Sequence, residues 1–417
     1  MDTMKHFISI LLTLILTISL AGCGQDAPAP SADTYNTIAA LSQQERAALE
    51  QEALAAAELC AEVYATSGKG STLNITLSEE TVAAMVNTMG DGGYPVIAGN
   101  GELDMRNPEL LTKFGEAVRD GTSTEAAYYT VQNDGTITAS FLTWEGGTGE
   151  QIALSLKWNE DGRPVVYDAG KYALTEVTYT DKGWLIYARD ISGFERDKKF
   201  NICPYTMVRV TALDSTCREL SQKYLEPVGY WENNLFTSTW SETDFRKLDF
   251  NCLFPILYGM YYDTAPLIYL NSHGTFDLIE GTAMHLIPQE TFEDVVCQYL
   301  PISREMLFER ADYCDSLGGY YLFGWHTGYY SVSPRLPEPE VTDWQYNADG
   351  TLTMTVDAVY PWYGTDCAFT HELTIRETGS GFQYVSNTLY PDEDNLLPNM
   401  QLAPLRKAEI LRFENGT

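Results

Sequence analysis

Four aromatic side chains in the last third of the sequence have residue types suited to binding a ligand. Trp325 and Tyr329 lie in one stretch, and Trp362 and Tyr363 lie in another, both among Gly, His and Asp residues. Flat aromatic faces stack on sugar rings and on peptide prolines, while polar neighbours set the orientation. The four residues are therefore candidate ligand-binding residues. Packing in a hydrophobic core is the alternative, because the chain contains 27 tyrosines.

The motifs of the common hydrolases and nucleotide-binding proteins are absent from the sequence. It contains no H-E-x-x-H zinc motif, no G-x-S-x-G nucleophile elbow and no glycine-rich phosphate loop. Its acidic turns lack the alternating Asp residues of a calcium loop. We therefore predict no catalytic residues, no metal and no cofactor. A glycosidase-like pair of carboxylates stays open, because 58 acidic residues offer too many candidates to locate one.

The cysteines have the spacing of neither a zinc ribbon nor a thioredoxin motif. Besides Cys23 there are seven, irregularly spaced, without a C-x-x-C pair. Two of them, Cys60 and Cys297, fall in helical patterns, where a cysteine behaves as a small apolar residue. We expect at most one or two disulfides.

The neighbours of Cys23 predict a covalent modification. The residues before it, Leu20, Ala21 and Gly22, resemble the lipobox of bacterial lipoproteins. Small side chains are needed there because the signal peptidase holds the segment extended in a narrow groove. We expect diacylglycerol to be transferred to the thiol and the chain to be cleaved before Cys23. An ordinary signal peptide with a chance cysteine and an uncleaved anchor are the alternatives.

The segments on either side of Cys23 fit this interpretation. Residues 1–22 form the predicted lipoprotein signal peptide, whose apolar run of about 15 residues is shorter than the roughly 20 that cross a membrane as a helix. Residues 23–40 form the lipidated cysteine and a flexible tether rich in Ala and Pro. Two or more acyl chains hold a protein stably on a leaflet. We therefore expect a protein anchored to the outer side of the cell membrane.

The charge of the chain excludes one large class of partners. The formal net charge is -32, and removal of residues 1–22 does not change it, because that segment holds one acid and one base. Such a charge repels phosphate backbones and anionic head groups. We therefore predict no nucleic-acid binding and no membrane contact beyond the lipid anchor.

Three helices are predicted before residue 126. The first spans about residues 43–65 and opens at Ser42 with an acidic residue three positions on, the spacing of a capping box. Ser78 caps the second helix. In the third, Asn107 is the predicted cap and Pro108 the first helical residue.

Alternating strands joined by Asp-Gly turns follow from Ala126, which predicts an antiparallel meander. The same order returns later in the chain. Residues 80–89 align with 290–299 as helices of one apolar stripe, and residues 133–141 align with 348–356 around an Asp-Gly turn. These alignments indicate two related modules. The alternative is that unrelated segments converged on the same pattern of helix and hairpin.

We therefore predict an α+β fold in which two related helix-plus-antiparallel-sheet modules are joined by a less regular middle segment. The N-terminal module covers residues 41–200, the aromatic-rich middle segment 201–285, and the C-terminal module 286–417. The apolar block in the middle segment is expected to pack the modules together.

The stretches at 287–303 and 347–387 resemble the C-terminal part of a family of uncharacterised lipoproteins of Gram-positive bacteria. This resemblance implies a surface-anchored protein and carries no activity or site residues.

The favoured hypothesis is a non-enzymatic lipoprotein that binds an envelope or environmental ligand, or a protein partner. An extracellular hydrolase acting on glycans or peptides, and a carbohydrate-binding protein, are the alternatives.

Overall fold

A computed structural model describes residues 41–70, 75–99, 101, 103–191, 203–265, 267, 275–323, 336–400 and 402–415. The chain divides into two compact units, Met1–Ala212 and Leu213–Thr417. Helices and largely antiparallel sheets occur in both, so the predicted α+β class is confirmed.

The N-terminal unit begins with helices that start where the capping residues predict. Its helices are α1 (Gln43–Glu58), α2 (Ala61–Thr66), α3 (Glu79–Asp91) and α4 (Glu109–Arg119). The capping box is present, because the Ser42 hydroxyl accepts from the Glu45 N–H and the Glu45 carboxylate accepts from the Ser42 N–H. Ser78 caps α3 in the same way through its hydroxyl.

Two predicted helix boundaries were wrong. The helix expected over 43–65 is interrupted after Glu58, where the N–H of Cys60 bonds to Ala57 and tightens the turn. Asn107 does not cap α4. It has a left-handed φ of 53°, and its side-chain amide donates to the carbonyls of Gly90 and Tyr94, so it ties the chain before α4 to the end of α3.

The predicted meander forms one seven-stranded sheet in chain order. Its strands are β1 (Val96–Ala98), β2 (Thr124–Val131), β3 (Ile137–Glu145), β4 (Thr148–Trp158), β5 (Pro164–Tyr179), β6 (Trp184–Arg189) and β7 (Tyr205–Arg209). Only β1 and β2 pair in parallel; the later neighbours are antiparallel. The turn between β2 and β3 needs Gly135, whose φ is +80°.

Helices pack on both faces of this sheet. On one face, Tyr129 and Leu154 belong to a buried cluster with residues of α1 and α3. On the other face, Leu142 and Leu185 pack with Phe114 of α4. Alternating side chains of β2 to β6 therefore enter two different cores, which is why the strands are apolar at most of their buried positions.

In the described part of the C-terminal unit, short helices alternate with two sheets. The helices are α5 (Ser215–Leu220), continued by a π-helical turn (Ser221–Leu225), α6 (Phe250–Tyr262), α7 (Gln289–Tyr299), α8 (Arg304–Arg310) and α9 (Leu402–Glu414). The strands are β8 (Trp240–Ser241), β9 (Asp277–Leu278), β10 (Met284–Pro288), β11 (Tyr313–Cys314), β12 (Gly319–Phe323), β13 (Glu338–Tyr346), β14 (Leu352–Val359), β15 (Thr370–Thr378) and β16 (Gly381–Leu389).

Both sheets of this unit are antiparallel. One has the order β13-β14-β15-β16-β8 and the other β11-β12-β10-β9. The apolar block of the middle segment forms α6, which is buried in the core of this unit. There Phe254 stacks on Phe292 of α7, and Phe292 stacks on Tyr320 of β12.

The aligned segments of the two predicted modules adopt matching elements. Residues 80–89 lie in α3 and residues 290–299 lie in α7, and their aligned apolar positions face a core in both helices. The aligned Asp-Gly turns join β2 to β3 and β13 to β14. The order of these elements thus agrees with the alignment, and a common origin of the two modules stays a prediction.

One buried arginine fixes the C-terminal helix. Arg406 of α9 is 2% exposed and donates to both carboxylate oxygens of Asp249 at 2.8 Å and to Asp312 at 3.0 Å. Its third nitrogen donates to the Cys252 sulfur at 2.8 Å. Asp249 also caps α6 by accepting from the Cys252 N–H. The start of α6 and the middle of α9 therefore share one hydrogen-bonded charge cluster.

Replacement of Arg406 by Met is expected to lower the free energy of unfolding by about 3 kcal/mol, because it leaves Asp249 and Asp312 partly buried without their cation. Chemical denaturation of purified protein measures this change. Lys407→Met, on an exposed position of the same helix, is the control and should change stability by less than about 0.5 kcal/mol. Equal effects of the two substitutions would contradict the role assigned to Arg406.

Candidate functional site

The structure describes two of the four aromatic residues singled out from the sequence. Trp362 and Tyr363 lie in a short 3-10 turn (Pro361–Tyr363) after β14. Trp362 packs against the core of the C-terminal unit, whereas Tyr363 is 52% exposed and its ring meets that of Tyr360 edge-on at 4.7 Å. Trp325, Tyr329 and Cys23 lie outside the described residues, so their candidate roles stay predictions.

His371 is a buried structural residue. It is fully buried on β15, with Nδ1 2.6 Å from the Asn387 side-chain oxygen and Nε2 3.0 Å from the Tyr230 hydroxyl. Because the Asn387 nitrogen donates to two backbone carbonyls, its oxygen must accept, and Nδ1 must carry the proton. Burial lowers the pKa of His371 to about 4, so the imidazole is neutral at pH 7.

Five of the described cysteines are unbridged thiols. They are Cys60, Cys217, Cys252, Cys297 and Cys314, and burial raises the pKa of Cys60 to about 12 and that of Cys217 to about 11. Cys60 is fully buried, as expected for a small apolar residue, but it lies in the turn between α1 and α2 and not within a helix. Within the described ranges, no group of three or more His, Cys, Asp and Glu side chains could hold a metal ion.

The N-terminal unit holds a polar cluster on the sheet face that packs against α4. Gln151 of β4 is fully buried, and its nitrogen donates to the Ser140 hydroxyl at 3.1 Å and to the Tyr187 hydroxyl at 2.9 Å. Its oxygen accepts from Nε of Arg189 at 2.7 Å, and the hydroxyls of Tyr187 and Tyr128 lie 2.6 Å apart. We call these five residues the Gln151 network.

The network requires a concave sheet. Tyr128 is on β2 and Tyr187 is on β6, four strand spacings away, or roughly 19 Å across a flat sheet. Their hydroxyls touch nevertheless, so the strands must curve until β2 and β6 face each other. Gln151 lies between them on the floor of the curve. Four members of the network are buried on this concave side, in the core that α4 also enters, and Arg189 is its one half-buried member.

The electrostatics of the network are simple. Burial, followed by the adjacent Tyr187, raises the pKa of Tyr128 well above its ordinary value, so this hydroxyl stays neutral. Arg189 is the cationic member of the network.

Arg189 is held in place without being neutralised. Its Nε is bonded to Gln151, and its guanidinium lies over the Tyr172 ring at 4.8 Å from the ring centre. The Tyr172 side chain in turn lies over Gly170, where a Cβ atom would stand 2.5 Å from the tyrosine hydroxyl. Gly170 therefore gives Tyr172 the room to lie under the guanidinium.

Most arginines of this acidic chain are paired internally, but Arg189 is not. No carboxylate in the described ranges lies within ion-pair distance of Arg189, and only its Nε has a hydrogen-bond acceptor there. The described arginines that do form ion pairs are Arg46, Arg106, Arg119, Arg163, Arg246, Arg304, Arg376, Arg406 and Arg412. The two Nη atoms of Arg189 can therefore take an acceptor from a ligand.

Sequence reasoning missed this site because its residues form no local motif. They come from β2, β3, β4 and β6, at separations of up to 61 residues. One sequence feature could have indicated the site: a polar residue at a position of a strand whose alternation predicts burial, such as Gln151 in β4. That signal becomes a site only when the strand order is known.

The pH dependence of stability should carry a contribution from His371. Unfolded histidine takes up a proton near pH 6.5, whereas the folded residue does so near pH 4, so the unfolded state binds more protons between these values. The free energy of unfolding should fall by about 3 kcal/mol from this residue as the pH drops from 6.5 to 4. Denaturation of wild type and His371→Gln across that range measures it. The variant should lose stability less steeply, and identical slopes would contradict the assignment.

Comparison with known proteins gives a family and no activity. No curated protein and no solved structure matches the chain. No helix among the described residues is long and apolar enough to cross a membrane. The sequence profile of a family of unknown function (DUF6070) matches residues 46–402, which include the Gln151 network and end at the start of α9. The chain therefore belongs to the DUF6070 family of unknown function.

Proposed function

We propose that the protein is a lipid-anchored, non-enzymatic binding protein, and that a small ligand from the envelope or the environment binds on the concave face of its N-terminal unit. The anchor is the acylated Cys23, followed by the Ala- and Pro-rich tether.

The observation that carries the binding role is the position of Arg189. A half-buried guanidinium is oriented by a buried amide and an aromatic ring, while its two Nη atoms have no acceptor among the described residues. Preorganised polar groups of this kind bind ligands with little loss of conformational freedom. The hydroxyls and the amide of the network supply hydrogen bonds.

The sequence around Cys23 supports the location. The lipobox-like residues 20–22 precede the cysteine, and Ala and Pro recur in the tether that follows it. The net charge of -32 favours a solvated surface held at a distance from anionic head groups. Ligand binding at the outer face of the membrane therefore accounts for both the predicted lipid anchor and the position of Arg189.

A thermal-shift screen of the detergent-solubilised mature protein tests the binding role. The panel contains envelope sugars, amino acids, short peptides and organic acids. We expect at least one compound to raise the melting temperature saturably, because a ligand that binds only the folded state stabilises it. Arg189→Gln should remove that rise, and Arg163→Gln, on an exposed arginine of the same unit, should retain it. A panel without hits, or hits unaffected by Arg189→Gln, would count against this site.

The lipid anchor is tested separately. Cys23→Ser removes the acylated atom, so the protein should move from the membrane fraction into the medium in the native host, and the N-terminal peptide of the wild type should carry an acyl mass. Ser31→Ala, in the tether, is the control and should stay with the membrane. Continued membrane association of Cys23→Ser would exclude acylation as the anchor.

A further inference from the structure

We propose that the ligand of the concave face presents a carboxylate, and that Nη1 and Nη2 of Arg189 bind its two oxygen atoms end-on. This inference rests on the binding role proposed above and names the chemical class of the ligand. A partner of this kind is an organic monoanion, such as an acidic metabolite, an amino acid or the terminus of a short peptide.

The orientation of the guanidinium determines which of its edges is available. A guanidinium has two edges that can bind a carboxylate by paired hydrogen bonds: one made by Nε with an Nη, and one made by the two Nη atoms. In Arg189 the first edge is engaged, because Nε donates to Gln151 at 2.7 Å. The Tyr172 ring covers one face of the same group. The end-on edge therefore remains for a planar acceptor with two oxygens.

Gln151, the acceptor for Arg189 Nε, is an uncharged amide, and this preserves the positive charge of the guanidinium. If residue 151 were a carboxylate, it would form an internal ion pair and compensate the charge of Arg189. The amide of Gln151 fixes the same direction and leaves the full positive charge in place. Nine other described arginines have carboxylate partners, whereas Arg189 and Arg310 form no ion pair within the described residues.

The charge of the whole protein favours a carboxylate over a phosphate. A net charge of -32 creates a negative potential that opposes any anion, and the opposition grows with the ligand's charge. A phosphate monoester carries about -1.5 to -2 at pH 7, whereas a single carboxylate carries -1. One guanidinium compensates one negative charge. A monoanion therefore fits this site better than a dianion does.

Matched pairs of probes test the inference with the detergent-solubilised mature protein. The pairs are acetate with acetamide and benzoate with benzamide, and sodium phosphate is the competing oxyanion. Binding is followed through the NMR signals of the Arg189 Nε–H and the Gln151 side-chain amide, at constant ionic strength. We expect saturable shifts with acetate or benzoate and none with the amides, because only the carboxylates make charge-assisted hydrogen bonds.

Three variants separate a binding role from a structural one. Arg189→Gln should weaken carboxylate binding at least about tenfold, and Arg189→Lys should give an intermediate loss because it keeps the charge without the paired geometry. Arg163→Gln should bind as the wild type does. Circular dichroism and melting temperature establish that each variant is folded. If Arg189→Gln does not fold, the comparison of carboxylates with amides on the wild-type protein decides the inference.

The other outcomes overturn the inference in distinguishable ways. If the amides bind as tightly as the carboxylates, the face binds a ligand but not through a carboxylate, and the proposed binding role survives. If phosphate binds more tightly than both carboxylates, the choice of oxyanion is wrong. If no probe at tens of millimolar shifts the network signals, the carboxylate site is excluded. The proposed function is then decided by the thermal-shift panel alone.

Discussion

The concave face of the N-terminal unit depends on one buried amide. Gln151 has one acceptor and two donor hydrogens, and the structure engages both ends: the oxygen with Arg189, the nitrogen with Ser140 and Tyr187. A hydrocarbon side chain there would leave buried groups unsatisfied, and a carboxylate would reverse the hydrogen-bond direction towards the hydroxyls. The curve of the sheet and the position of the cation are thus coupled through a single neutral side chain.

Features set by neighbours in sequence were predictable. The capping box at Ser42, the cap at Ser78 and the hairpin glycine Gly135 each act within a few residues, and each is present in the structure. The predicted apolar stripe of residues 80–89 is also present, and its residues Val82 and Met85 are buried. Local chemistry decides these features, so the sequence alone is sufficient for them.

Features set by distant contacts were not predictable. Asn107 has the right residue type and spacing for a cap, yet its amide bonds to carbonyls at the end of α3 instead. The Gln151 network joins four strands, and no motif marks its members. Of the candidate aromatic residues, Trp362 is part of a core and Tyr363 is exposed, a difference that depends on how the turn after β14 packs. Tertiary packing decides each of these cases.

The charge cluster around Arg406 has a consequence for the order of events after synthesis. Asp249 and Asp312 are synthesised well before Arg406, which supplies their cation. Domains generally fold as units, in order from the N-terminus as the chain emerges. The unit that ends at Ala212 can therefore mature while translation continues, whereas the second unit can complete its charge cluster only after Arg406 has been synthesised.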